Sequence, residues 1–130
     1  MKASDVMNTP IVAASTKASA REVALYMLLG GFSGVPILDE SGTLAGIVTE
    51  VDLLHTIRGG TSLENTTVEQ IMSRDVVTVD IDTPVEEIME VLESERILRV
   101  PVMQDGSMVG IVSRPDLLRA AVEPQFQRIG

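Results

Sequence analysis

Apolar residues recur with the period of an amphipathic helix in two separate segments of this chain. In each segment, four of them have the i, i+3, i+4, i+7 spacing that lies on one helix face. A shift of 65 residues superimposes one set on the other. The sets are Ala20, Val23, Ala24 and Met27, and Val85, Ile88, Met89 and Leu92. We therefore predict two related helices, one in each half of the chain.

Residues that favour helix starts precede both segments. Ser19 and Glu22 have the spacing of a capping box, in which two side chains bond the free N–H groups of the first turn. Thr83 precedes Pro84, and proline is favoured at the first helical position. We therefore expect the first helix to begin near Ser19 and the second at Pro84, with Thr83 as its cap.

Short apolar runs rich in β-branched residues surround each predicted helix. Residues 11–14 and 76–79 precede the helices, and residues 34–38 and 99–103 follow them. Polar, glycine-containing turns at residues 39–42 and 104–106 then lead to a further strand, as in a β-hairpin. Each half is therefore predicted to contain a β-α-β-β-α unit.

The closest internal match joins residues 46–54 to residues 110–118, which agree at six of nine positions. Both segments contain a β-branched run, then a hydroxyl residue, and an aspartate three residues later. In the first segment these are Thr49 and Asp52, and in the second they are Ser113 and Asp116. This pattern predicts a buried strand that leads directly into a helix N-terminus.

Such a junction suits a nucleotide. The first turn of a helix presents unpaired N–H groups and the positive end of a dipole, which favour phosphate. A hydroxyl group donates to phosphate oxygen, and a carboxylate accepts from the two hydroxyls of a ribose. The same residues also form an ordinary helix cap, so the pattern by itself leaves both interpretations open.

Two predicted strands contain proline, at Val35-Pro36 and Val100-Pro101. Proline cannot donate a ladder hydrogen bond, so it must lie where no N–H is needed. The missing donor leaves room for a ligand beside the strand.

Composition narrows the function classes. The net charge of −9 and the aromatic content of 2% argue against nucleic acid, which needs cations or stacking side chains. The negative charge also disfavours an anionic membrane surface. Without cysteine, and with His55 as the single histidine, we expect no disulfide and no metal site. We see no signal peptide and no spanning apolar run, which predicts a cytoplasmic protein.

The fold class predicted is α+β, a tandem pair of β-α-β-β-α repeats packed about a pseudo-twofold axis. We expect a first repeat over residues 1–58 and a linker over residues 59–66, where Gly59 and Gly60 interrupt the pattern. A second repeat over residues 67–122 and a C-terminal tail over residues 123–130 complete the chain.

Together these features resemble the CBS-domain family, named after cystathionine β-synthase, in which two such repeats form a pair. The resemblance covers residues 4–121. It rests on the Val-Met and Ile-Met pairs that open the repeats, both Val-Pro strands, the Asp-containing hairpins and both hydroxyl-x-x-Asp motifs. The order of these features, found twice, is what makes the resemblance specific.

The resemblance implies regulatory binding of AMP, ADP, ATP or S-adenosylmethionine in clefts between the repeats, with no cofactor required. Asp52 and Asp116 would hold ribose hydroxyls, while Thr49 and Ser113 would approach phosphate. The base would lie beside the two Val-Pro pairs and the strands that open each repeat. The residues implied for this role are Val35, Pro36, Ile11, Ala13, Val100, Pro101, Val76 and Thr78.

The two implied sites differ in charge. Arg99 and Arg114 flank the second motif, whereas Gly34 and Glu50 occupy the aligned places in the first. Guanidinium groups favour phosphate and carboxylates oppose it, so we expect phosphorylated ligands to prefer the second motif. An alternative is that these arginines only balance an acidic surface.

The first long helix differs from the second in its apolar surface. Leu25, Leu28 and Leu29 extend its apolar face, whereas the residues aligned with them are polar, namely Glu90, Glu93 and Ser94. A helix that is apolar on nearly all sides should be covered by something. Because CBS pairs commonly dimerise through these helices, we expect a homodimer through the first long helix, with extra intramolecular packing as the alternative.

The sequence contains no catalytic constellation: it has no cysteine, no histidine pair and no glycine-rich phosphate loop of the Walker type. We therefore expect a non-enzymatic module that senses an adenosine-containing nucleotide and signals to a protein partner through its conformation or its dimer. The alternative is a structural or protein-interaction module that binds no nucleotide.

Overall fold

The structure is a computed structural model that describes residues 1–9 and 11–129, with side chains as far as residue 122. The described chain forms two compact units. One unit is Val12–Val76, and the other combines Met1–Ile11 with the residues from Val77 onward.

The chain begins with helix α1 (Ala3–Val6), which belongs to the second of these units. The unit Val12–Val76 then contains two helices of about three turns, a short helix and one three-stranded sheet. Its elements are β1 (Ala14–Ser15), α2 (Ala20–Gly30), β2 (Gly34–Leu38), β3 (Leu44–Thr49), α3 (Glu50–Arg58) and α4 (Val68–Ile71). The sheet order is β1-β2-β3, with β1 parallel and β3 antiparallel to β2.

The other unit repeats this arrangement. Its remaining elements are β4 (Val79–Asp80), α5 (Val85–Ser94), β5 (Arg99–Gln104), β6 (Ser107–Ser113) and α6 (Arg114–Ile129). The sheet order is β4-β5-β6, again with one parallel and one antiparallel pair. The predicted α+β class and the two related β-α-β-β-α repeats are therefore confirmed.

Each unit has its own core cluster. Ala20, Val23 and Met27 of α2 are buried against β2 and β3 in one unit. Val85, Ile88 and Leu92 of α5 are buried against β5 and β6 in the other. The predicted helix faces are thus buried except at the third position of each set, where Ala24 is half-buried and Met89 is exposed.

The two helix starts differ from each other. Ser19 caps α2 as predicted, because its Oγ accepts from the N–H of Glu22 at 3.1 Å. The prediction that Thr83 caps a helix starting at Pro84 is wrong, since α5 begins at Val85 and Pro84 is its N-cap residue. The Thr83 hydroxyl instead accepts a hydrogen bond from the N–H of Asp80 at 3.0 Å. This bond lies within the turn after β4.

The strands that open each repeat are shorter than predicted. Strands were expected over residues 11–14 and 76–79, but β1 begins at Ala14 and β4 at Val79. The reason lies in the partner strand. Thr16 donates to the carbonyl of Leu38, so Leu38 and, two residues earlier, Pro36 direct their backbone groups towards β1. Pro36 has no N–H, and the ladder ends beside it.

The same termination occurs in the other unit. Ile81 donates to the carbonyl of Met103, so Pro101 presents its substituted nitrogen towards the chain that precedes β4. The backbone of residues 12–13 and 77–78 therefore receives no ladder hydrogen bond from the proline of its own sheet.

The boundaries of the two compact units differ from the boundaries of the two sequence repeats. Helix α1, which opens the first repeat in sequence, packs near α6 and β6 of the second. Asn8 and Ile111 exchange backbone hydrogen bonds of 2.9 and 3.3 Å. In the other unit, α4 packs near α3 and β3, and Ser73 and Ile47 exchange two bonds of 2.9 Å. The opening segment of each repeat thus pairs with the motif strand of the other.

This pairing explains the motif glycines. A Cβ atom added at Gly46 would lie 2.7 Å from the carbonyl oxygen of Ser73, and one added at Gly110 would lie 2.5 Å from Sδ of Met7. Both distances are shorter than van der Waals contact. At Gly46 the added atom would meet backbone, so glycine is needed for this close crossing, whereas at Gly110 it would meet the side chain of Met7.

We expect Gly46→Ala to lower the free energy of unfolding by about 1–3 kcal/mol, because the new methyl group must push away backbone. Gly59→Ala is the matched control, since φ there is −74° and the nearest atoms are at 3.5 Å. Its effect should stay within about 0.5 kcal/mol. Urea unfolding of both variants measures the difference, and equal losses would contradict the close-approach explanation.

Candidate functional site

The first hydroxyl-x-x-Asp motif lies where β3 runs directly into α3. Thr49 is the N-cap residue, and its N–H and hydroxyl donate to Oδ2 of Asp52 at 2.8 and 3.1 Å. The N–H of Asp52 points back to the Thr49 hydroxyl at 3.5 Å. Both residues are half-buried, so this capping box is accessible from solvent.

The second motif lies at the matching junction between β6 and α6. The N–H and hydroxyl of Ser113 both donate to Oδ2 of Asp116 at 2.8 Å. Two further donors reach this carboxylate: Asn8 Nδ2 at 2.7 Å on Oδ2 and Arg119 Nη1 at 3.2 Å on Oδ1. Asp116 is only 5% exposed, and its carboxylate is therefore more enclosed than that of Asp52.

These contacts set the protonation state of Asp116. Burial acts to raise the pKa of its carboxyl group, but the hydrogen bonds from Ser113, Asn8 and Arg119 outweigh burial and hold the pKa below its ordinary value. Asp116 is thus an anion at neutral pH although it is nearly inaccessible.

The two arginines predicted for this site belong to the same unit as Asp116. Arg99 begins β5 and is half-buried, while Arg114 begins α6 and is exposed. Burial lowers the pKa of the Arg99 guanidinium, and the charge of Asp116 counteracts this. The second motif therefore combines a buried anion with a nearby cation, whereas Glu50 occupies the place of Arg114 in the first.

The residues expected beside the base fall into two groups. The side chains of the two Val-Pro pairs are fully buried, so they fix the course of their strands. These residues are Val35, Pro36, Val100 and Pro101. Residues of the opening segments remain accessible; Ile11, Ala13 and Val76 are half-buried and Thr78 is exposed. Ala13 and Val76 lie in the unit of Thr49 and Asp52, and Ile11 and Thr78 lie in the unit of Ser113 and Asp116. Pro10 lies outside the described residues.

Sequence analysis missed two partners of Asp116. Arg119 follows it by three residues on α6, and this spacing alone could have indicated the ion pair. Asn8 is 108 residues away in sequence, and no local pattern connects it to Asp116. The only available signal was that a shift of 65 residues aligns it with Ser73.

The long helices leave apolar surface exposed in both units. Leu28 and Leu29 of α2 are 80% and 86% exposed, and Val51 and Leu54 of α3, a helix in contact with α2, are exposed in the same unit. In the other unit, α5 and α6 form an open apolar groove of about 740 Å³. Its lining includes Met89, Leu92, Leu117, Leu118 and Ala121, with Glu93, Arg96 and Arg114 at the polar positions.

No helix within residues 1–9 and 11–129 is long and apolar enough to cross a membrane. No group of three or more His, Cys, Asp or Glu side chains in this part of the chain is arranged to hold a metal ion.

Comparison with curated proteins finds relatives that are longer than this chain. The chain is 30% identical over 123 residues to an A-adding tRNA nucleotidyltransferase of Aquifex aeolicus, covering 95% of this chain but 15% of that protein. It is 32% identical over 116 residues to an L-aspartate semialdehyde sulfurtransferase of Methanocaldococcus jannaschii, covering 88% of this chain and 22% of the relative. The chain thus spans less than a quarter of these two proteins.

Among solved structures, the fold is similar to the CBS domain pair of protein MJ0100, crystallised in complex with 5′-methylthioadenosine and S-adenosyl-L-methionine. The TM-score is 0.81 and the sequence identity 30%. The match covers 95% of this chain and 98% of that one, so both repeats take part in it.

A model of the CBS domain family matches the chain twice, at residues 3–59 and 68–123. These matches contain both hydroxyl-x-x-Asp junctions and both proline-bearing strands, which are the features that predicted the family from sequence. The chain therefore belongs to the CBS domain family and carries two CBS domains in tandem.

Proposed function

We propose that this chain is a regulatory module that binds an adenosine-containing nucleotide at its hydroxyl-x-x-Asp junctions. The observation that carries the proposal is the similarity to the MJ0100 pair, whose two ligands both contain adenosine linked through sulfur. At 30% identity over nearly the whole length of both chains, the likeness includes the elements that build the junctions. AMP, ADP and ATP present the same adenosine group and belong to the proposed ligand class.

The first junction has the geometry to hold a ribose. The described hydrogen bonds of the Asp52 side chain all involve Oδ2, which leaves the other carboxylate oxygen for the hydroxyls of a sugar. Thr49 lies at the N-cap of α3, where the helix dipole favours a phosphate or carboxylate group of the ligand.

The base would bind along the segments that open the repeats. Beside Pro36 and Pro101 the parallel ladder has ended, so the backbone of residues 12–13 and 77–78 is available for hydrogen bonds with adenine. Ile11, Ala13, Val76 and Thr78 supply accessible surface there, while the buried Val-Pro pairs fix the course of the strand behind them.

We also propose that the module has no catalytic activity of its own. Two relatives are enzymes by name, yet this chain covers 15% and 22% of them, so it corresponds to a minor part of each. A regulated protein partner and a cytoplasmic location stay predictions. The rival function is an interaction module that binds no nucleotide, as the apolar groove and the exposed leucines would permit.

A homodimer through α2 is the second part of the proposal. Its support is the exposure of Leu25, Leu28 and Leu29 on one helix, and Val51 and Leu54 are exposed on the neighbouring helix α3. Apolar patches of this kind on a small domain are typical of interaction sites. A second copy of the chain offers surfaces of the same character.

Nucleotide binding should raise the melting temperature. A ligand at 100 times its dissociation constant adds about 2.7 kcal/mol of stability, which corresponds to a rise of roughly 10 °C for a domain of this size. We expect this rise in a thermal-shift assay with one or more of S-adenosylmethionine, 5′-methylthioadenosine, AMP, ADP and ATP. GTP, a nucleotide with a different base, is the control. No shift with any adenine compound would favour the interaction module.

Replacing Asp52 should weaken binding more than folding. We expect Asp52→Ala to lower the affinity about tenfold or more, because ribose hydroxyls lose a charged acceptor. Glu22→Ala is the matched control, since Glu22 also lies in the first turn of a helix but outside the motif. Calorimetric titration compares the two; equal affinity in both variants would leave Thr49 and Asp52 with a capping role alone.

Charges on α2 should separate the dimer without unfolding it. Leu25→Glu with Leu28→Glu introduces the residues found at the aligned places of α5, and both leucines are exposed. We expect a folded monomer by sedimentation and circular dichroism. Leu98→Glu, another exposed leucine, controls for general effects of charge. A wild-type monomer, or a double variant that unfolds, would contradict this interface.

A further inference from the structure

The carboxylate of Asp116 is already saturated with protein donors at one of its two oxygens. Its Oδ2 accepts from Asn8 at 2.7 Å and from two groups of Ser113 at 2.8 Å, and its Oδ1 accepts from Arg119 at 3.2 Å. A carboxylate oxygen has about two lone-pair directions. Oδ2 therefore has no capacity left for a ribose hydroxyl unless one donor leaves.

Asn8 is the donor that can leave. Ser113 is fixed by the strand-to-helix junction that it caps, whereas Asn8 is exposed and lies just after the four-residue helix α1. Its amide belongs to the N-terminal segment and not to the strand-to-helix junction itself. An amide N–H and a ribose O–H present the same chemistry to a carboxylate, namely a single hydrogen-bond donor.

The first junction lacks this contact. A shift of 65 residues aligns Ser73 with Asn8, and Ser73 pairs with Ile47 as Asn8 pairs with Ile111. The serine side chain is one atom shorter than asparagine, and in the described part of the chain no hydrogen bond joins Ser73 to Asp52. The aligned backbone is thus the same. Asn8 decides whether Oδ2 of the aspartate has a donor besides the capping residue, while Arg119 contacts the other oxygen of Asp116.

We propose that Asn8 acts as an internal competitor for the ligand at the second junction and so determines which CBS domain binds first. The inference rests on the proposed nucleotide-binding function. Ligand enters at Asp52 without displacing any side chain. A ribose hydroxyl can bind Oδ2 of Asp116 only after the Asn8 amide moves away, which couples occupancy of that oxygen to the position of the N-terminal segment.

Competition by Asn8 reverses the order of ligand affinities that the arginine charges predict for the two junctions. Arg99 and Arg114 still favour a phosphate near the second junction, but they act on the phosphate and not on the ribose. The expectation of tighter binding at Asp116 therefore applies to the protein after Asn8 has been displaced. Removing the asparagine should make that preference visible.

The test isolates the second junction with Asp52→Ala and compares this variant with the double variant Asp52→Ala, Asn8→Ser. Serine is the residue that the chain itself uses at the aligned place. Titrations with ATP and with S-adenosylmethionine by calorimetry should show affinity rising about tenfold or more in the double variant, the scale of one hydrogen bond to a charged group.

The reciprocal variant moves the competitor to the first junction. In an otherwise wild-type chain, Ser73→Asn should weaken the first binding event by a similar factor, because the new amide can reach Asp52 as Asn8 reaches Asp116. Urea unfolding of each variant accompanies the titrations. Should Asn8→Ser fail to fold, Ser73→Asn alone decides the question.

The outcomes separate this inference from the function on which it rests. Tighter binding with Asn8→Ser, or weaker binding with Ser73→Asn, supports internal competition. Wild-type binding that neither change alters overturns the role of Asn8 and leaves the nucleotide-binding function in place. If no variant binds ATP, S-adenosylmethionine or any other adenine compound of the thermal-shift assay, both proposals fail.

Discussion

The pairing of each opening segment with the motif strand of the other repeat is the constraint on which the rest of the structure depends. Two backbone hydrogen bonds join Asn8 to Ile111, and two join Ser73 to Ile47. This close crossing requires glycine at position 46, where an added Cβ atom would meet the carbonyl oxygen of Ser73, and leaves little room at position 110, where it would meet the side chain of Met7. The crossing also brings Asn8, two residues after α1, to Asp116 in the first turn of α6. The hydroxyl-x-x-Asp junctions are therefore built from parts of the chain that are distant in sequence.

Most of the local structure could be predicted from sequence because it depends on neighbouring residues. The spacing of Ala20, Val23 and Met27 predicts the buried face of α2, and Ser19 predicts its cap. The turns around Gly42 and Gly106, where φ is +83° at both, follow from glycine itself. In each case the information lies within about ten residues of the element that it determines.

What sequence analysis missed depends on the partner strand or on the pairing of distant segments. β1 is shortened at its N-terminal end by Pro36, a residue of β2, so the apolar run before Ala14 does not indicate where the strand begins. Asn8 contacts Asp116 only because the backbone of Asn8 pairs with Ile111. The hydroxyl-x-x-Asp motif predicted the junctions themselves. It contains nothing that tells how many further donors reach each aspartate, and this number is where the two junctions differ.

That difference has a consequence for stability as well as for binding. The native pKa of Asp116 lies below its ordinary value of about 3.9, so its hydrogen bonds stabilise the fold fully above that value. The contribution is lost as the pH falls through the lower native pKa. At neutral pH the carboxylate is thus ionised and already engaged in holding Asn8, Ser113 and Arg119 together. Under the proposed function, a ligand at Oδ2 of Asp116 would replace the bond that holds Asn8 to α6, whereas a ligand at Asp52 would use the carboxylate oxygen that receives no described hydrogen bond. Occupancy of the second junction is therefore the event that we expect to move the N-terminal segment.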